Sequence, residues 1–105
     1  MVSRFEVYLV NIDAESSNDA KNTRPCVVIS PDEMNRNIST VIIAPLSTPK
    51  SYPTRVPVSF LNSERVVVLD QIRTIDNVRL VKKIGEIEKD ERSEILKRLA
   101  DMFAE

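Results

Sequence analysis

A chain of 105 residues, 42% apolar and 30% charged, is long enough for one hydrophobic core and too short for two. Fifteen basic against sixteen acidic side chains give a net charge of −1, so the bulk charge lacks the basic footprint that nucleic-acid binders usually carry. With no histidine and a single cysteine, Cys26, the sequence excludes a Ser-His-Asp triad, a histidine-held zinc, paired-histidine ribonuclease chemistry and any intrachain disulfide.

Phe5 to Ile12 alternates and is rich in aromatic and β-branched residues, which predicts a strand. Asp13 to Thr23 is polar but for two alanines and reads as a long loop. Arg24 to Ser30 is a second strand, with Pro25 confined to its start or to an edge because it cannot donate to a ladder. Pro31 to Asn37 suits a turn or one short helical turn. Thr40 to Leu46 is a third strand, apolar enough at Val41-Ile42-Ile43 for burial on both faces.

A loop from Ser47 to Thr54 follows, and then Arg55 to Phe60, an alternating strand that Pro57 marks as an edge. Leu61 to Glu64 is turn material. Arg65 to Leu69 is a buried strand, continued by Gln71 to Ile75 after a bend. Leu80 to Ile87 is ambiguous and holds the only glycine, Gly85. Asp90 to Phe103 predicts a helix, capped by Asp90, with Ile95, Leu96, Leu99, Met102 and Phe103 on one stripe. Short strands and a terminal amphipathic helix predict a small β-barrel with a helix packed on it, as a single domain over 1–105. No run reaches membrane-spanning length, and Met1-Val2-Ser3-Arg4 lacks the apolar stretch of a signal peptide, so a cytoplasmic location is expected.

Catalysis without histidine must rest on Arg, Lys, Asp, Glu, Ser, Thr or Tyr. Arg24, directly before an apolar run, is a cation fixed by the strand behind it with its head free, an arrangement suited to an anion. RNA fits such a site because it brings its own nucleophile, the 2′-OH, and arginine matches phosphate oxygens with planar donors. Plainer readings stand beside these. Arg24 as a surface strand end, Ser47 and Thr48 as turn caps, and Asp70 with Arg73 as a structural ion pair or turn contact are all open. Cys26 reads as a buried, inert thiol.

Four strings carry a resemblance: Thr23-Arg24-Pro25-Cys26-Val27-Val28-Ile29-Ser30, Ser30-Pro31-Asp32-Glu33-Met34-Asn35, Val41-Ile42-Ile43-Ala44-Pro45-Leu46-Ser47-Thr48, and Val66-Val67-Val68-Leu69-Asp70-Gln71-Ile72-Arg73-Thr74-Ile75-Asp76. In this order and spacing the chain resembles the MazF/PemK family of type II toxins, which are small endoribonucleases. The resemblance implies a mainly β fold, an SH3-like PemK/CcdB-type barrel of antiparallel strands with a C-terminal amphipathic helix. It also implies a homodimer, a cognate antitoxin with an acidic tail, and cofactor-free, metal-independent cleavage of single-stranded RNA to a 2′,3′-cyclic phosphate and a 5′-hydroxyl. Carried over residue by residue, it places Arg24 at the scissile phosphate and Ser47, with Thr48 beside it, where relatives have threonine. Asp70 matches the aspartate of PemK-type members, whose second arginine is replaced here by Val68. Asp19 stands where relatives carry a glutamate. Lys21, Thr48, Lys50, Arg55 and Arg73 are the candidate RNA contacts. Two rival readings share the barrel: a CcdB-like toxin that poisons gyrase without catalysis, and a decayed homologue that binds RNA or antitoxin without cutting.

Overall fold

The computed structural model describes residues 1–12 and 23–104. Its strands are β1 (Glu6–Asn11), β2 (Thr23–Val28), β3 (Thr40–Ser47), β4 (Arg55–Phe60), β5 (Ser63–Val68), β6 (Arg73–Asp76) and β7 (Leu80–Glu86), and its helices are α1 (Asp32–Asn37) and α2 (Arg92–Phe103). All pairings are antiparallel, in the order β4-β5-β3-β2-β1-β7, with β6 joined to β3. The sheet curls into the expected barrel-like shape with α2 packed on it.

Two apolar clusters explain why the middle strands are hydrophobic on both faces. Val27, Ala44, Leu46, Val67 and Leu69 point to one side, where they meet Ile95, Leu96, Leu99 and Met102 of α2. Val10, Cys26, Val28, Val41, Ile43 and Ile75 fill the other. Burying Ile95 completely contributes about 2–3 kcal/mol. Pro57 does lie on an edge strand, since β4 ends the sheet order, and the alternation of β4 is as expected, with Val56, Val58 and Phe60 buried.

Three expectations need correction. The turn over Leu61 to Glu64 shrinks to Leu61-Asn62, because β5 begins at Ser63; both turn residues have positive φ, 49° and 61°, as a tight two-residue hairpin requires. Asp90 does not cap the terminal helix. It sits in a 3-10 turn over Lys89–Glu91, and α2 starts at Arg92 without a side-chain cap. Phe103 leaves the apolar stripe and is 71% exposed, since it lies in the last turn beyond the sheet. The ambiguous segment is strand β7, paired with β1 through two register shifts; at Gly85 an added Cβ would come within 2.9 Å of the Phe60 ring.

Chain connectivity builds the ground for a site at one end of β3. Along one edge β3 pairs with β2; along the other, Thr40 to Ile43 pair with β6, and Leu46 and Ser47 pair with β5. The strand thus changes partner midway. A 3-10 turn over Leu69–Gln71 carries the chain from β5 to β6 across that change.

Candidate functional site

An open cavity of about 410 Å³ lies where β3 takes up β5. Arg24, Ser47, Thr48, Arg55, Arg65 and Gln71 supply its polar lining, and no carboxylate is among the described residues that line it. Pairing of β2 with β3 begins at Cys26 opposite Pro45, because Pro25 has no N–H to offer. Continuing that register two steps sets Arg24 opposite Ser47. Arg24 is exposed, and among the described residues neither it nor Arg65 has an ion-pair partner. Two guanidinium groups without an ion pair among the described residues, and a third arginine, around a hollow whose described lining has no carboxylate suit an anion with several oxygens.

Cys26 is fully buried behind this site. Burial pushes its thiol up to about 12, with Arg24 and then Arg73 pulling it back only in part. The thiol therefore stays protonated and inert at neutral pH. Both arginines are close enough to act on Cys26, as the pairing of Arg73 with Ile43 on β3 would have it, yet Arg73 does not line the cavity.

Asp70 does not line it either. From the 3-10 turn its Oδ1 accepts a hydrogen bond from the Thr54 hydroxyl at 2.8 Å and lies 3.5 Å from Arg55 Nε. The Thr54 hydrogen bond chiefly, with lesser help from the backbone and Arg55, holds the Asp70 carboxyl below its ordinary range against the opposing effect of burial. The segment is clipped a second time, by the Leu69 N–H donating to Thr54 O at 2.9 Å. From α2, Arg98 donates to Pro53 O at 3.0 Å, so the helix also braces the approach to β4.

A second cavity of about 460 Å³ adjoins the first, sharing Arg55 and Arg65 as its wall. Lys50 and the 61% exposed Tyr52 line this neighbour rather than the first. The two meet at Arg55 and Arg65 as one groove, whose second half also holds Glu64 and Glu91. Asp19 and Lys21 lie outside the described residues. Of the other sequence candidates, the fold brings Arg24, Ser47, Thr48 and Arg55 to one cavity, sets Lys50 in the next, pairs Asp70 with Arg55 outside both linings, and puts Arg73 near Cys26. Arg65 and Gln71 were not singled out from sequence. Only the pairing of Val58 with Arg65 and the position of the 3-10 turn bring them in. Among the described residues no three His, Cys, Asp or Glu side chains cluster as metal ligands, and no helix is long and apolar enough to cross a membrane.

Comparison with known proteins gives a consistent picture. The family model described as "PemK-like, MazF-like toxin of type II toxin-antitoxin system" matches residues 3–103. An endoribonuclease from a mycobacterial species superposes with a TM-score of 0.79 at 22% identity, over 95% of this chain and 88% of that one. A mycobacterial endoribonuclease solved with its cognate antitoxin gives 0.79 at 23% identity, over 96% and 93%. MazF of Deinococcus radiodurans, in a MazE-MazF crystal, gives 0.78 at 21%, over 98% and 95%. At these identities the structural matches establish the shared fold.

Proposed function

The chain belongs to the PemK-like, MazF-like toxins of type II toxin-antitoxin systems, and we propose on that premise that it is a metal-independent endoribonuclease acting on single-stranded RNA at short sequences. The 2′-OH attacks the adjacent phosphorus, the P–O5′ bond breaks, and a 2′,3′-cyclic phosphate and a 5′-hydroxyl result. The observation that supports the reading is the cavity in which Arg24, without an ion pair to any described residue, and Ser47 line one hollow whose described lining holds no carboxylate. Charge builds on the phosphoryl oxygens as the phosphorane forms, and preformed donors aimed there act most strongly in that state. Arg24 supplies the planar fork, and the Ser47 hydroxyl donates to the same group. An arginine cannot take the 2′-OH proton; Asp19 is the candidate acceptor, and solvent protonates the departing 5′ oxygen. Lys21, Thr48 and Lys50 hold flanking phosphates or bases along the groove, while Arg73, which lines neither cavity, acts on RNA only beyond it.

The same groove suits the acidic tail of a cognate antitoxin, which presents negative charge as RNA does. A mycobacterial relative was solved with its cognate antitoxin, and the Deinococcus relative as MazE-MazF, which supports such a partner here. Two copies of the chain complete the groove, and the protein acts in the cytoplasm. The test is incubation of the purified chain with short single-stranded RNA in EDTA, followed by analysis of product ends. Cleavage to cyclic-phosphate ends is expected. RNA binding without cutting, strict dependence on added magnesium, or gyrase inhibition instead would each refute the reading.

A further inference from the structure

We propose that Arg55 is a second catalytic cation at the scissile phosphate and that Asp70, with Thr54, is the pair of residues that aims it. The proposal rests on the RNA-cleavage reading and deepens it by giving Asp70 a positioning part instead of a proton-carrying one.

Four observations carry it. Arg55 lines both cavities, so it stands at the junction of the groove, whereas Asp70 lines neither. The Arg55 Nε is buried without a hydrogen bond, and Asp70 Oδ1 at 3.5 Å is the carboxylate paired with it. That same oxygen is fixed by the Thr54 hydroxyl at 2.8 Å, and Thr54 is the residue directly before Arg55. Finally, Arg55 and Val68 are direct cross-strand partners, and Val68 lines the cavity that holds Arg24 and Ser47. Cross-strand partners project to the same face of a sheet, so the register turns Arg55 toward Arg24's cavity.

The chemistry follows from how a guanidinium is used. Its Nε side faces Asp70, which leaves the terminal Nη groups to face an anion. A contact of 3.5 Å is longer than a good hydrogen bond, and such contacts tighten when the site is loaded. A phosphorane on the Nη side would complete a chain from Thr54 hydroxyl to Asp70 carboxylate to guanidinium to phosphoryl oxygen. Asp70 lines neither cavity, and its Oδ1 accepts from Thr54 and faces Arg55 Nε, a placement that suits holding the guanidinium better than meeting the 2′-OH.

A double-mutant cycle on the full chain tests this, with cleavage of one short single-stranded RNA as the readout. Asp70→Ala should lower kcat by roughly 10- to 100-fold while moving KM much less, as expected for a misplaced catalytic group. Asp70→Asn keeps an oxygen for Thr54 and Arg55, so it should recover most of that loss and leave the shape of the pH–rate profile unchanged. In an Arg55→Ala background, Asp70→Ala should cost less than about twofold more, because residues acting as one unit are not additive. Fully additive losses, an Asp70→Asn enzyme as slow as the alanine variant with its acid limb gone, or wild-type rates in Asp70→Ala would each overturn the proposal. A second readout needs no RNA. The Arg55 Nε–H resonance in a ¹⁵N-arginine spectrum should shift or broaden in Asp70→Ala and Thr54→Val, and an unmoved resonance would overturn the link. A wild-type chain that cuts nothing would overturn the cleavage reading and Arg55's catalytic part, while the resonance still decides whether Asp70 holds Arg55.

Discussion

Replacing Arg24 by alanine should abolish most RNA cleavage and leave the fold untouched. Arg24 is exposed and has no ion pair with any described residue, so its removal breaks no packing; surface changes of that kind fall within about ±0.5 kcal/mol. The catalytic loss is much larger. A charge-assisted donor at a developing oxyanion contributes about 2.7–4 kcal/mol, or roughly 10²- to 10³-fold in kcat. Arg65 remains in the cavity to hold the ground-state phosphate, so KM should rise far less than kcat falls. Arg24→Lys should recover only part of the rate, since a point charge cannot present a planar fork. Initial rates on a quenched fluorescent RNA, paired with a thermal melt, separate catalysis from folding. An alanine variant that turns over at the wild-type rate, with an unchanged melt, would refute the reasoning. A collapsed melt would refute the claim that Arg24 is structurally idle.

Ser47→Ala should slow cleavage more than it weakens RNA binding, and Ser47→Thr should be tolerated because it keeps the hydroxyl; single-turnover rates beside binding to an uncleavable 2′-deoxy RNA would show which. Asp19→Glu should raise the cleavage rate and Asp19→Ala lower it, if a longer carboxylate reaches the 2′-OH better; equal time courses for the three proteins would remove Asp19 from the mechanism. Leu61→Asn should stabilise the fold by about 1 kcal/mol, since a β-carbon at positive φ costs about 1–2 kcal/mol for most residues and asparagine bears it best. Leu61 is 67% exposed, so little burial is lost, and a melting temperature that falls instead would contradict the strain argument.

Much of this molecule is legible before any coordinates. Runs such as Val41-Ile42-Ile43 announce strands, Pro57 announces an edge, and Arg24-Pro25 announces a cation at the mouth of a strand, because periodicity and proline chemistry act locally. The rest depends on register, which a single strand does not encode. Arg65 opens an apolar run and reads as part of a strand; it becomes a cavity residue only because β5 lies between β3 and β4. Asp70 and Arg73 sit three residues apart in one string, yet the 3-10 turn at Leu69–Gln71 sends them to different neighbours, Arg55 and the surroundings of Cys26. Asp90 has the right chemistry for a helix cap but stands one 3-10 turn too early to serve as one.

The opposition of Arg55 and Val68 across β4 and β5 has a consequence for how sequences of this kind diverge. Two positions thirteen residues apart along the chain address a single point in space, so a guanidinium can migrate between strands while the hollow keeps its charge. PemK-type members carry an arginine where this chain has Val68, and a column-by-column comparison with them would score its absence as a loss. A comparison of facing pairs would score a transposition. On the proposal that Arg55 acts beside Arg24, a substitution at either position is to be read against its counterpart on the facing strand, a relation that no motif written along one strand records.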